Sequence, residues 1–195
     1  MFENQLILEN DFVKLRLLEK DDLNDFSQIS NDSSIWEYFT SDLNSEENVK
    51  NWIDEALTQF TAKSRYPFTI IDKILKRTAG STSFGNFSKR DSRIEIGWTW
   101  LGKKFQGSGI NKQCKFLMLQ YAFESLNLER VEFKTDVLNL QARKALKKIG
   151  AVEEGVLRSH TLMIHNRRRD TIYYSILKNE WLQLKKSIFK DIIGG

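Results

Sequence analysis

The chain has 195 residues, 41% hydrophobic and 29% charged, with thirteen Phe, five Trp and five Tyr, which suits one compact domain with a sizeable core. A net charge of +4 is too small to argue for a nucleic-acid partner, and one cysteine with two histidines is too few for a disulfide or a zinc cluster. The opening MFENQLILENDF lacks the basic flank and long apolar run of a leader, and no stretch is apolar for long enough to span a bilayer, so the expected compartment is the cytoplasm.

In chain order, Val13, Leu15 and Leu17 alternate as in a strand. Asp21 and Asp22 can cap a short helix carrying Leu23 and Phe26, and Ser45 before Glu46 and Glu47 opens a better one, with Val49, Trp52, Ile53, Ala56, Leu57 and Phe60 at helical spacing. Phe68 to Ile71, Thr78 to Phe84 and Arg93 to Leu101 read as three strands. In the third, a regular pleat puts Ile94, Ile96, Trp98 and Trp100 on one face and Glu95 on the other. Gly102 to Gly109 is a loop. The stretch Ile110 to Ala122 is an amphipathic helix, Val131 to Val137 a strand, and Gln141 to Ile149 a helix stopped by Gly150. Strands around Glu154 to Arg158 and Thr171 to Ile176 follow, and Asn179 can cap a last helix. The order predicts an α/β (α+β) domain: a mixed, mostly antiparallel twisted sheet of about seven strands with helices on both faces.

The informative segment runs from Trp98 to Lys115, where a strand enters a glycine loop and the loop enters a helix. First-turn amides have no intrahelical partner, the helix dipole adds positive charge, and Gly107 and Gly109 let a ligand approach the backbone. Lys103, Lys104, Lys112 and Lys115 fall in this stretch with no acidic residue between them, which favours a polyanion. A Walker loop, GxxxxGK[ST], is absent, and Gly107-Ser-Gly109 lacks the third glycine of a dinucleotide fingerprint.

The segment Gln106-Gly-Ser-Gly109-Ile-Asn111 resembles the [QR]-x-x-G-x-[GA] loop of the Gcn5-related N-acetyltransferase (GNAT) superfamily, with Asn111 replacing the final small residue. Ile94 to Leu101, Arg130 to Asn139, Ala142 to Arg158 and Arg169 to Ser175 look like its branch of ribosomal-protein N-terminal (RimJ/RimL-type) acetyltransferases, so the likeness covers nearly the whole chain. What the resemblance implies is transfer of acetyl from acetyl-CoA, as co-substrate and without a metal, to a primary amine of a protein N-terminus or a small molecule. A homodimer is one arrangement left open. Backbone groups near Thr99, Trp100 and Leu101 are implied to pair with the pantetheine arm, and Gln106, Gly107, Ser108, Gly109, Ile110 and Asn111 to hold the pyrophosphate. Asn139 is implied to touch the cofactor. Arg143 and Lys144 reach its phosphates or adenine, or are simply a wet helix face.

An alkyl amine with a pKa of ~10 must lose a proton before it attacks, and Glu95 is the candidate base, the alternative being that it faces solvent or pairs with a lysine of a neighbouring strand. The tyrosine that often protonates the leaving thiolate in this family is Leu146 here, and the serine of some relatives is Ala142. These two replacements sustain a second reading, a non-catalytic acyl-CoA-binding or sensing module. Trp36, Tyr38 and Phe39 fall where the resemblance implies an acceptor cleft, with ordinary core packing the default for such aromatics. His160 and His165 are read as surface residues and His165 to Asp170 as a solvated basic turn.

Overall fold

A computed structural model describes residues 6–193; residues 1–5, part of the opening read above for a leader, lie outside it, as does the side chain of His165. Eight strands form one sheet: β1 (Leu8–Glu9), β2 (Val13–Leu17), β3 (Arg65–Asp72), β4 (Arg77–Ser88), β5 (Arg93–Leu101), β6 (Arg130–Asp136), β7 (Val152–Leu162) and β8 (Arg168–Leu177). Their spatial order is β1-β2-β3-β4-β5-β6-β8-β7. Every pairing is antiparallel except β5 with β6. The helices are α1 (Leu23–Ile29), α2 (Glu46–Thr61), α3 (Ile110–Gln120), α4 (Leu140–Lys148), α5 (Lys178–Ser187) and α6 (Lys190–Ile193). The two-residue β1 adds an eighth strand to the seven read from the sequence.

Local signals explain most boundaries. The Ser45 hydroxyl accepts from the Asn48 amide at 3.2 Å and starts α2. Gly150, at φ 86, follows α4. Two expected caps behave differently: Asp22 holds the N-cap position of α1 but its side chain caps no α1 amide, accepting instead from the Glu19 amide at 2.9 Å, and Asn179 is not the cap of α5. Asp22 is buried and accepts from Arg16 Nη1 at 2.9 Å and from Thr69 Oγ1 at 2.6 Å, so its carboxylate ties β2 to β3. At the other end of the chain, β8 runs directly into α5, ahead of Asn179, and the Leu177 amide donates to Glu180 Oε2 at 2.8 Å.

Two apolar cores lie on opposite faces of the sheet. The larger packs Ile94, Ile96, Leu101, Phe133 and Ile176 against Cys114, Met118, Leu146 and Trp181 of α3, α4 and α5. The smaller gathers Phe26, Trp36, Val49, Trp52, Ile53 and Trp100 under α1 and α2. Trp100 is its hub, meeting Phe26, Trp36 and Trp52 edge-on with centroids 5.1, 5.2 and 6.2 Å away.

The expected single face for Ile94, Ile96, Trp98 and Trp100 is not what forms. The β4–β5 register passes from Ser83↔Gly97 to Ser81↔Trp100, so Thr82 faces two residues, Trp98 and Thr99. Trp98 sits at φ 50 in this β-bulge. The bulge reverses the alternation: Ile94 and Ile96 point at α3, whereas Trp100 points at α1 and α2.

Candidate active site

The parallel register of β5 with β6 holds for three pairs only, Arg93↔Arg130, Ile94↔Val131 and Glu95↔Glu132. Beyond Glu95 the strands part. The rest of β5 stays bonded to β4 through Ile96, Gly97, Trp100 and Leu101, so its peptide groups on the β6 side have no ladder partner. A slot lined by main-chain donors and acceptors results, and Thr99, Trp100 and Leu101 lie along it.

At the end of the slot stands the glycine loop. Gly107 and Gly109 adopt φ 76 and 92, and a Cβ built on either meets nothing within 4 Å. The space over the loop is therefore open to a ligand. The Gln113 amide already donates to Gly109 O at 3.1 Å, whereas those of Ile110, Asn111 and Lys112 precede the first intrahelical acceptor. Gln106 stiffens the loop: its Nε2 donates to Leu101 O at 3.1 Å and its Oε1 accepts from Gln141 of α4 at 3.3 Å. Ser108 Oγ donates to Phe105 O at 2.7 Å, and Asn111 Oδ1 is buried with no partner among the described residues. An amide-lined slot leading to an open, donor-rich helix start fits a long polar arm ending in a pyrophosphate.

The four lysines do not act together, contrary to the charge expected from sequence. Lys112 is paired with Asp191 of α6 at 2.7 Å. Lys115 turns away from the loop, buried under the sheet, with Nζ 2.7 Å from Thr99 Oγ1 and 3.3 Å from Thr82 Oγ1. Lys103 and Lys104 remain exposed beside the loop. Burial pulls the Lys115 amine down to about 8 and pushes the neighbouring Cys114 thiol up to about 12, which makes Cys114 a poor nucleophile. A buried amine that titrates at about 8 when folded and near 10.5 when unfolded has a consequence for stability. Below pH 8 both states carry the proton and the folded state bears the full desolvation cost. Between 8 and 10.5 the unfolded state binds more protons, so stability rises with pH. Lys115→Met is expected to be more stable than the wild type by up to roughly 3 kcal/mol at pH 7, with the gap closing as pH approaches 10.5. Urea melts of both proteins across that range measure it; a constant gap overturns it.

Glu95 sits where the strands part. It is buried, with 5% side-chain exposure, and Oε2 receives Asn86 Nδ2 at 2.6 Å and Lys134 Nζ at 2.9 Å. The solvent-facing alternative is thereby excluded, and the neighbouring-strand lysine is present. Oε1 lies toward Gly97, 2.7 Å from where a Cβ on that glycine would stand.

Further along, Asn139 caps α4, its Oδ1 accepting from the Ala142 amide at 2.9 Å. Arg143 is turned inward: Nε donates to Tyr174 Oη at 3.2 Å and Nη1 to Val137 O at 3.0 Å. Lys144 is exposed on α4. Leu146 is a core residue, so no hydroxyl stands at that position.

On the α1–α2 face, Trp36, Phe39, Leu43, Trp52, Trp98 and Trp100 line a narrow cleft beside the bulge. Trp36 and Phe39 are expected there from the sequence, whereas Tyr38, expected with them, is not in the lining. Trp52 reads from sequence only as a core residue of α2, and Arg65, packed on the Trp52 and Trp98 rings, gives no sequence signal beyond its place before a strand. His160 is exposed, as expected. The basic turn is less solvated than it reads: Arg169 is buried and Arg167 pairs with the buried Asp136. Among the described residues, no group of three or more His, Cys, Asp and Glu side chains is placed to hold a metal ion, and no helix is long and apolar enough to cross a membrane.

An open slot of main-chain donors and acceptors beside an aromatic cleft has the form an acyltransferase needs. The comparisons place it more narrowly. Residues 13–152 match the family described as acetyltransferase (GNAT) domain, and the chain belongs to that family. YdaF of Bacillus subtilis (strain 168), named as a candidate ribosomal N-acetyltransferase, is 37% identical over 102 residues, a match spanning 52% of this chain and 55% of that relative. Spermidine N(1)-acetyltransferase of Escherichia coli (strain K12) is 26% identical over 90% of this chain and 91% of its own. The solved structure of a candidate acetyltransferase from T. thermophilus superposes with a TM-score of 0.89 at 31% identity, covering 98% of this chain and 99% of that one.

Proposed function

We propose that this single-domain cytoplasmic N-acetyltransferase takes acetyl from acetyl-CoA and passes it to a primary amine by direct attack in a ternary complex. The observation that carries this reading is the three-residue β5–β6 seam, which opens a main-chain-lined slot onto the Gln106–Asn111 loop. Acetyl-CoA supplies the thioester. The chain's part is to bind, orient and move a proton. The amides of Ile110, Asn111 and Lys112, with the open backbone at Gly107 and Gly109, hold the pyrophosphate. Main-chain groups of β5 that have no β6 ladder partner, around Thr99, Trp100 and Leu101, bind the arm, and amides among them stabilise the oxyanion that forms when the amine adds. Asn139 and Lys144 are assigned to the cofactor from α4, which reaches the loop through Gln141 on Gln106, while Arg143, engaged with Tyr174 and Val137, braces α4.

Glu95 takes the proton from the attacking amine. It leaves β5 on the face opposite Ile94 and Ile96, the face that carries the aromatic cleft. No protein acid is required for the leaving group, because a thiol with a pKa of ~8.5 departs largely as thiolate. Thiol release from acetyl-CoA, measured with a panel of peptides, amino acids and polyamines, tests the reading. Amine-dependent release supports it, and tight coenzyme A binding without turnover on any amine overturns it.

Gly97→Ala probes the base without touching its chemistry. The new Cβ meets Glu95 Oε1 at 2.7 Å and must displace the carboxylate. Because the displaced atom ends a flexible side chain, the thermal midpoint is expected to move little while kcat falls by about tenfold or more. An unchanged kcat would remove Glu95 from the proton path.

A further inference from the structure

In and against the aromatic cleft stand two hydrogen-bond donors without an acceptor among the described residues. Trp100 lines the cleft and is 3% exposed, yet its Nε1 has no partner among the described residues. Arg65, 4% exposed, is not in the lining but packs on two rings that are, its guanidinium carbon 4.9 Å from the centroids of both Trp52 and Trp98. Its Nε donates to Ser83 Oγ at 2.8 Å and Nη1 reaches Gln59 Oε1 at 3.4 Å, while Nη2 has no partner among the described residues. The carboxylate whose charge reaches it is the exposed Glu55 of α2, which forms no ion pair with it.

Indole N–H and guanidinium can only donate. A buried donor left without an acceptor costs about 1–3 kcal/mol, and a buried cation without a counter-ion costs more. Two such groups stand at one cleft and share one sign, so an occupant that relieves both brings an acceptor oxygen with negative charge. The same cation repels a polyamine, which offers only donors and positive charge.

We propose that the acceptor is an amine that also carries a carboxylate, with Trp100 Nε1 donating to that carboxylate and Arg65 setting the positive potential that draws it into the cleft. This rests on the N-acetyltransferase reading above and narrows its acceptor class. The carboxylate of a free amino acid and an acidic side chain near a peptide N-terminus present the same chemistry.

The test compares kcat/KM for L-phenylalanine, L-phenylalaninamide, a tetrapeptide with aspartate at its second position, the same tetrapeptide with asparagine, and spermidine. The expected result is a preference of at least about tenfold for the carboxylate in one of the two matched pairs; which pair shows it identifies the source. Arg65→Met is expected to collapse that ratio, and Arg65→Lys, which keeps the charge, to retain most of it. Trp100→Phe keeps a ring in the aromatic core but removes the N–H, and is expected to lower the ratio severalfold; it carries the test if Arg65→Met fails to fold. Equal use of carboxylate and amide, a preference for spermidine, or ratios unmoved in the variants would overturn the proposal while leaving the N-acetyltransferase reading intact. Absence of thiol release with every amine would instead sink that reading.

Discussion

Gly109→Glu is expected to abolish coenzyme A binding in calorimetry, by a factor of at least about 100, with the fold intact. Gly109 holds φ 92 at the start of α3, and a Cβ there meets no protein atom within 4 Å. The variant therefore fits sterically against the chain and costs only the left-handed backbone strain, about 1–2 kcal/mol, or roughly 2–8 °C in Tm for a protein of this size. The carboxylate, however, projects over the loop and places a negative charge where the helix amides attract one. A second anion then meets like charge as well as a filled site. Gly109→Ala separates the two effects: it carries the same strain without the charge, and should lose far less affinity. Unchanged binding by Gly109→Glu would move the pyrophosphate elsewhere.

Glu95→Gln is expected to lower kcat by about 10²–10⁴ while coenzyme A affinity stays within about twofold, because an amide cannot take the amine's proton. The substitution also leaves the Lys134 ammonium without the carboxylate now 2.9 Å away, so some stability is lost whatever the catalytic role. Lys134→Met distinguishes the two. If Glu95 acts only as a counter-ion, both variants lose stability and lower kcat to a similar, small extent. If Glu95 is the base, Glu95→Gln lowers kcat far more than Lys134→Met does. A kcat within about threefold of wild type would reduce Glu95 to a structural role.

The residues that signal this site are local, and so are legible in the sequence. Alternating apolar residues bound Arg93 to Leu101 as a strand, and β5 occupies those residues. The Ser45 cap and the loop glycines follow from backbone chemistry that few other residues satisfy. Tertiary effects are harder to read. Regular alternation predicts one face for Ile94 through Trp100, and only the pairing with β4 forces Thr82 to oppose two residues; Gly97 inside a strand is the available hint. Lys115 joins the loop's charge only by nearness in sequence, yet helical spacing already puts it on the side of Met118, facing the sheet. Arg65 is invisible, since a charged residue ahead of Pro67 carries no mark of burial. Its surroundings come from Trp52 on a helix and Trp98 on a bulge, brought together only by the fold.

The brevity of the β5–β6 seam has a mechanical side. Strands β1 to β5 are one continuous antiparallel ladder and β6, β8 and β7 another; across the line between them run three Cα pairs and the Arg93–Glu132 and Glu95–Lys134 ion pairs at 3.1 and 2.9 Å. Much of the cohesion between the ladders must come from side chains, such as Phe116 of α3 against Trp181 of α5 and Phe189, at centroid distances of 6.0 and 5.5 Å. Under load the molecule should shear along this line first, as two plates held by aromatic rivets rather than as a single board.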